Sequence, residues 1–291
     1  MHESPPTFDL QSHSEHSDGA LRPSDVVRLA AEAGVELLSL TDHDSVDGVP
    51  EATEAATALG LRLVSGVEIS ALDEGHGDLH ILGYGIDERD DTLRARLETF
   101  RGERERRAEA MAEAIRQLGF ELDDRILRRR AQEGKSIGRP HLAEAAVGHP
   151  ANAERLAREG RRDPTAFLVA YLIEGAPAFR PREAPSVEQA IGVIHEAGGV
   201  AIWAHPFWDV AEPPEVLAAI DRFRAIGLEG VECFYTTHDR PQSELLADHC
   251  EHLGMLSTGS SDFHGPHHRQ FARFRAFSTY GRAANLGRLA G

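Results

Sequence analysis

Histidines and carboxylates recur at or just past the ends of short apolar segments along this chain: His13, Asp18, Asp42, His43, Glu68, His80, His205, Asp262 and His264. Imidazole nitrogen and carboxylate oxygen are the donor types that Zn²⁺, Mn²⁺ and Fe²⁺ share. Any one of these histidines alone reads as a surface or core residue. Delivered together from successive segment ends, they read as a multinuclear metal site inside a barrel mouth. Gln11 and His13 are two apart on an extended stretch and share a face, and Asp262 and His264 repeat that spacing. Glu68 has two oxygens and can bridge two cations, which single-nitrogen ligands do not normally do. In Asp42-His43-Asp44 an imidazole is flanked by carboxylates suited to orienting it.

The elements that must position these groups alternate between strand and helix. Phe8 to Leu10 reads as a first strand, followed by a helix that Pro23 opens and Gly34 closes. Leu37 to Leu40 is a buried strand, and a second helix runs from about Pro50 to Leu59. Leu61 to Val67 is the third strand, ending at Glu68, and Leu79 to Leu82 the fourth, with His80 inside it. From about Asp87 to Pro185 the pattern is helical, with charge-dense runs at Arg101 to Arg107 and Arg125 to Arg130 that read as solvated helix faces. Ser186 and Gln189 then form a capping box, and strands follow at Val200 to Ala204, Val231 to Phe234 and Met255 to Thr258. The expected fold is α/β: a distorted (β/α)7 barrel of parallel type with a helical insertion after the fourth strand. Its domains are 1–86 with 186–291 for the barrel and 87–185 for the insertion, and its active face lies at the C-terminal strand ends.

Composition narrows the partners. A net charge of −17 argues against wrapping a long nucleic acid. Lys135 is the only lysine, a skew that coding-sequence base composition explains more simply than phosphate recognition. Cys233 and Cys250 make neither a disulfide framework nor a zinc pair by spacing. The start has no basic and apolar signal pattern, and no run approaches membrane-spanning length, so the cytoplasm is expected. No P-loop and no Gly-x-Ser-x-Gly motif is present.

At this point the motifs resemble a known family. Asp9-Leu10-Gln11-Ser12-His13-Ser14 with Ser17-Asp18-Gly19, Thr41-Asp42-His43-Asp44, Gly66-Val67-Glu68-Ile69-Ser70, Ala204-His205-Pro206 and Ser261-Asp262-Phe263-His264-Gly265 resemble the PHP (polymerase and histidinol phosphatase) superfamily. Gly138-Arg139-Pro140-His141 is similar to an element of the branch acting on nucleoside 3′,5′-bisphosphates and, in some members, on RNA 5′ ends. The resemblance implies two or three divalent ions, Mn²⁺ first, with Fe²⁺ or Zn²⁺ as alternatives. His13, Glu68 and Asp262, with Gln11, would hold the first; Glu68, His80 and His205 the second; Asp18, His43 and His264 the third. Arg139 and His141 would grip substrate phosphate. Gln11 departs from the family's usual histidine, and an amide oxygen is a weaker, harder donor. It would favour Mn²⁺ over Zn²⁺ or leave the first metal loosely held. His16, three residues past His13, is a weak candidate to compensate.

The expected chemistry is hydrolysis of the 3′-phosphate of a nucleoside 3′,5′-bisphosphate by a metal-bridged hydroxide, with Asp262, Glu68 and His264 as catalytic residues. His238, just past the sixth strand, would contact substrate and protonate the leaving group. The alternatives are a 5′→3′ exonuclease on short 5′-phosphorylated RNA and, further off, a degenerate metal- or phosphate-binding protein. A histidinol-phosphate phosphatase fits the superfamily but not the Gly-Arg-Pro-His element.

Overall fold

The computed structural model describes residues 6–132, 137–181 and 184–291. In chain order these hold β1 (Phe8–Asp9), α1 (Pro23–Glu32), β2 (Leu37–Leu40), α2 (Val49–Leu59), β3 (Arg62–Asp73) and β4 (Gly77–Tyr84). Then come α3 (Asp91–Gln117), α4 (Asp124–Gln132), α5 (Arg139–Gly148), α6 (Ala153–Glu159) and α7 (Pro164–Tyr171). The rest are α8 (Val187–Glu196), β5 (Val200–Trp203), α9 (Pro206–Asp209), α10 (Pro213–Ala225), β6 (Gly230–Tyr235), α11 (Arg240–Leu253) and β7 (Leu256–Ser260). Met1–Glu98 with Ala184–Gly291 form one compact unit, and Thr99–Glu183 form the other.

In the first unit the seven strands pair in sequence order within one sheet. The sheet curls back on itself beyond β1 and β7. Leu10 N–H donates to Gly259 O (3.2 Å), His13 N–H to Phe263 O (2.8 Å), and Ser12 bridges Phe263 in parallel. The result is a nearly closed, distorted barrel with helices around it. Pro23 starts α1 and left-handed Gly60 (φ 67°) stops α2. Val26, Val27 and Ala30 of α1 and Ala52 and Ala56 of α2 pack with Leu38 and Leu40 of β2. The capping box opens α8 as expected: Gln189 N–H donates to Ser186 Oγ (3.2 Å), and Ser186 N–H to Gln189 Oε1 (2.9 Å). Cys233 and Cys250 are buried free thiols.

The expected all-parallel alternation fails at β4, which runs antiparallel to both β3 and β5. Only Glu74-Gly75-His76 separate β3 from β4. A hairpin spans so short a link, whereas a parallel crossover needs a dozen or more residues. Pairing with β4 also carries β3 past its expected end. Gly66 lies opposite Tyr84 and Asp73 opposite Gly77, so Glu68 sits inside a long strand rather than at a strand end.

The second unit is helical among its described residues and has its own core of Met111, Ile115, Phe120, Leu142, Leu156, Phe167 and Leu172. Phe120, Phe167 and Tyr171 meet ring to ring at 4.7–5.2 Å. In the basic run on α4, Arg125, Arg128 and Arg129 face solvent, and Arg125 pairs with Asp123 (2.7 Å). No helix among the described residues is long and apolar enough to cross a membrane.

Gly66 is where β2 and β3 approach most tightly beside the future site. A Cβ there would lie 2.4 Å from Ser39 Oγ, 2.8 Å from Thr41 Cγ2 and 3.0 Å from the Leu40 carbonyl oxygen. Gly66→Ala should therefore destabilise the barrel by about 1–3 kcal/mol through overpacking, read as a lower urea midpoint at unchanged slope.

Candidate metal centre

The loop after β1 carries His13 and Asp18 and is pinned by Asp42. Asp42 accepts from Ser14 N–H (2.7 Å), Ser14 Oγ (2.6 Å) and Ser17 Oγ (2.6 Å). Sequence adjacency pointed to Asp42 as an aid to His43; the structure shows it holding the loop that presents His13. Ser17 has one hydroxyl proton and gives it to Asp42, so at 3.3 Å it accepts from His13 Nδ1. That leaves Nε2 as the inward-facing atom of His13. His264 is set the same way: its Nδ1 lies 2.7 Å from the Asp262 carbonyl oxygen, which turns Nε2 toward Asp18 (3.4 Å).

Glu68 is the hub. Its Oε1 lies 2.7 Å from His80 Nδ1 and 3.3 Å from His205 Nε2. Its Oε2 lies 3.0 Å from His13 Nε2, 3.5 Å from His43 Nδ1 and 2.9 Å from Gln11 Nε2. Asp262 places Oδ1 3.1 Å from His13 Nε2 and accepts the Tyr235 hydroxyl on Oδ2 (2.7 Å). Asp18 meets His13 and His43 at 3.6 Å each. Two of these residues sit in left-handed backbone, His205 at φ 30° and Asp262 at φ 53°, a conformation that persists only where surrounding structure over-determines it.

Three groups of donors each converge within 4.8 Å: His13, Asp18, His43 and His264; His43, Glu68 and His80; and His13, Glu68 and Asp262. The first and last contain the sets that the family resemblance implied. In the middle group His43, which faces Glu68 Oε2, stands where the resemblance put His205, which faces Oε1 together with His80. His16 is in none of the three.

These donors fit cations. His13 Nε2, His80 Nδ1, His205 Nδ1 and Asp262 Oδ1 are buried without a properly directed hydrogen bond, although most buried polar atoms are satisfied. Burial opposes the charge on Glu68, yet the imidazoles of His43, His80, His13 and His205 hold its carboxyl well below the usual range. Burial likewise opposes a charge on His205, but Glu68 and Asp209 push the ring up to about 10. Asp262, despite burial, is drawn down to about 2 by His264 and His13.

Gln11 donates through Nε2 to Glu68, while its Oε1 faces Ser260 Oγ (3.2 Å). Its oxygen reaches the Glu68 side only if the amide flips and that hydrogen bond is lost. His238 is buried against Phe207 and Tyr235, and burial lowers it to about 4. Uncharged at neutral pH, it donates Nδ1–H to the Cys233 carbonyl (3.1 Å), so Nε2 is an acceptor rather than an acid. Arg139 and His141 open α5 in the second unit, where His141 Nδ1 accepts the Gly138 N–H (3.0 Å).

Sequence reasoning assigned no role to four supporting groups. Glu232, pushed by burial up to about 8, accepts from His205 N–H (3.0 Å) and lies 2.6 Å from Ser260 Oγ. Asp9, pushed by burial up to about 7, accepts from Ser261 N–H and Oγ and from Arg275 N–H. Tyr235 holds Asp262, and Asp209 faces His205 Nδ1 at 3.8 Å. A carboxylate within the apolar run Val231-Glu232-Cys233-Phe234 was the signal available for Glu232.

Comparison with known proteins places this geometry. The PHP domain family matches residues 9–125. A 5′-3′ exoribonuclease of Haemophilus influenzae is 34% identical over 261 residues, covering 89% of this chain and 90% of the relative. A 3′,5′-nucleoside bisphosphate phosphatase of Chromobacterium violaceum is 33% identical over 260 residues, covering 89% and 87%. The solved structure of an amidohydrolase from Chromobacterium violaceum, with bound sulfate and no metal, superposes with a TM-score of 0.79 at 31% identity, covering 92% and 91%.

Because carboxylates raise His205 to about 10 and hold His13 well above its ordinary value, both rings carry a proton at pH 7 that a cation must displace. Metal affinity should therefore rise as pH is raised from 6 toward 9, with protons released. Titration calorimetry with Mn²⁺ in two buffers of different ionisation heat checks this, and Glu68→Gln should lose most of the heat.

Proposed function

The chain belongs to the PHP domain family, and from that membership and its donor set we propose that it is a metal-dependent phosphoesterase releasing the 3′-phosphate of nucleoside 3′,5′-bisphosphates. The observation that carries the reading is the meeting of the buried donor groups on Glu68. The bisphosphate substrate rests on the Chromobacterium violaceum relative. We place its work in the cytoplasm, in keeping with a nucleotide substrate, and a net charge of −17 suits a small ligand better than a long nucleic acid.

His13, Glu68 and Asp262 would hold one ion, Glu68 with His80 and His205 a second, and Asp18, His43 and His264 a third. When bound, divalent ions supply Lewis acidity toward phosphoryl oxygens and make water a nucleophile at neutral pH. Hard oxygen donors beside imidazole, and an amide at Gln11, favour Mn²⁺. Around the ions the chain's own groups orient the reaction. Tyr235 fixes one oxygen of Asp262 and leaves the other facing inward. The carbonyl of Asp262 sets the tautomer of His264, and Gln11 and the imidazoles keep Glu68 ionised. Arg139 would grip the second phosphate through its forked guanidinium, with His141 Nε2 beside it. His238 would accept a hydrogen bond from a substrate hydroxyl.

A second reading, a 5′→3′ exonuclease on short 5′-phosphorylated RNA, is favoured by the Haemophilus influenzae relative and would use the same residues on a longer leaving group.

The Mn²⁺-loaded protein should release phosphate from adenosine 3′,5′-bisphosphate faster than from AMP or a 5′-phosphorylated trinucleotide. Shortening of the trinucleotide at the higher rate selects the exonuclease instead. Asp262→Asn should lower turnover at least about 100-fold, on the scale of losing a transition-state stabiliser. Arg139→Ala should raise KM for the bisphosphate more than for a monophosphate; equal changes would remove Arg139 from the second phosphate.

A further inference from the structure

Trp208 belongs to none of the donor groups and takes little part in the core. It is 53% exposed, whereas Trp203, the chain's other tryptophan, is fully buried. It stands on α9, whose first turn follows His205 directly, with Trp208 N–H donating to the His205 carbonyl (2.8 Å). Its indole meets the buried ring of Phe271 at 5.8 Å. Phe271 in turn meets His264 at 5.5 Å and Tyr235, which holds Asp262, at 5.9 Å. His268, exposed like Trp208, stacks on Phe271 at 5.2 Å with the planes 13° apart and on His264 at 5.1 Å. Aromatic rings thus lead without interruption from the donor cluster to two exposed rings that share one buried support.

The donor cluster and Arg139 suit phosphate, and nothing among them suits a base. A flat, exposed, apolar ring tethered beside a phosphoester site suits the π-face of a nucleobase, since every base has such a face. We propose that Trp208, with Phe271 behind it and His268 alongside, is the platform on which the nucleobase of the substrate stacks. The inference rests on the phosphoesterase reading and adds how a nucleotide is told from other phosphate esters. The platform engages a part of the substrate remote from the reacting phosphorus. It binds ground state and transition state alike and so acts on KM rather than kcat.

The test uses the full Mn²⁺-loaded chain as wild type, Trp208→Ala and Trp208→Phe, with adenosine 3′,5′-bisphosphate and the base-free methyl riboside 3,5-bisphosphate. Trp208→Ala should raise KM for the nucleotide about 10-fold, the scale of one lost base–aromatic stack, with kcat nearly unchanged. Trp208→Phe should recover most of that loss, and the base-free substrate should be handled alike by all three. Unchanged KM for the nucleotide, or equal losses on both substrates, would overturn the platform while leaving the phosphoesterase reading intact. Fluorescence gives a readout free of turnover: AMP should quench the wild-type emission, and the quench should vanish in Trp208→Phe, where only buried Trp203 still emits. A quench that persists in Trp208→Phe, or none in the wild type, overturns the proposal. If neither substrate is turned over by the wild type, the phosphoesterase reading fails, and the quench alone decides whether Trp208 meets a base.

Discussion

The structure depends on one buried carboxylate. Glu68 has almost no contact with solvent, and imidazoles from four separate stretches of chain surround it, at His13, His43, His80 and His205. An isolated carboxylate in such a place would be neutral or would unfold its surroundings. Here the rings about it keep it ionised, and it in turn raises His13 and His205 above the ordinary imidazole range. Position within a strand matters as much as charge. Because β3 continues through Asp73 and pairs with β4 from Gly66 onward, the Glu68 backbone is fixed on both sides, by β4 and by the bridge to His43.

Further buried carboxylates serve the scaffold. Asp42 ties down the loop after β1, Asp9 ties Ser261 and Arg275 to the first strand, and Glu232 anchors the His205 backbone. Each takes N–H groups and hydroxyls that would otherwise be buried unpaired. Asp9 and Glu232 are pushed by burial toward the neutral range, to about 7 and about 8, whereas Glu68 and Asp262 are held low. The difference comes from the neighbours: Asp9 is met by hydroxyls and amides, and Glu232 by His205, Ser260 and an amide, too little to offset burial, whereas several imidazoles converge on Glu68 and Asp262. Charge is thus concentrated where cations would sit and is muted on Asp9 and Glu232.

The two units are built from different residues. The barrel supplies the donors and the ring path out to Trp208. The helical unit presents Arg139 and His141 at the start of α5, where His141 caps the backbone through one nitrogen. Its core is independent of the barrel's, with Phe120, Phe167 and Tyr171 packed against one another.

Much of this was legible in the chain itself. Seven short apolar segments, Pro and Gly at helix ends, the Ser186 cap and the polar residues at segment ends were enough for a distorted barrel with an inserted helical stretch. They also picked out the residues that the structure gathers around Glu68, because residue type and local periodicity are encoded within a few positions. What tertiary structure alone decided depends on partners far apart in sequence. The reversal of β4 follows from a short link and from pairing with β5 across the whole insertion. Gln11 turned out to donate to Glu68, 57 residues away; its type suggested a metal ligand, but amide orientation is set by Ser260 and Glu68 together. Asp42, next to His43 in sequence, serves His13 in space. The exposed indole of Trp208 acquires meaning only from Phe271, a ring that no local pattern could place beside it. Local sequence selects the groups, while long-range packing decides which way each one faces.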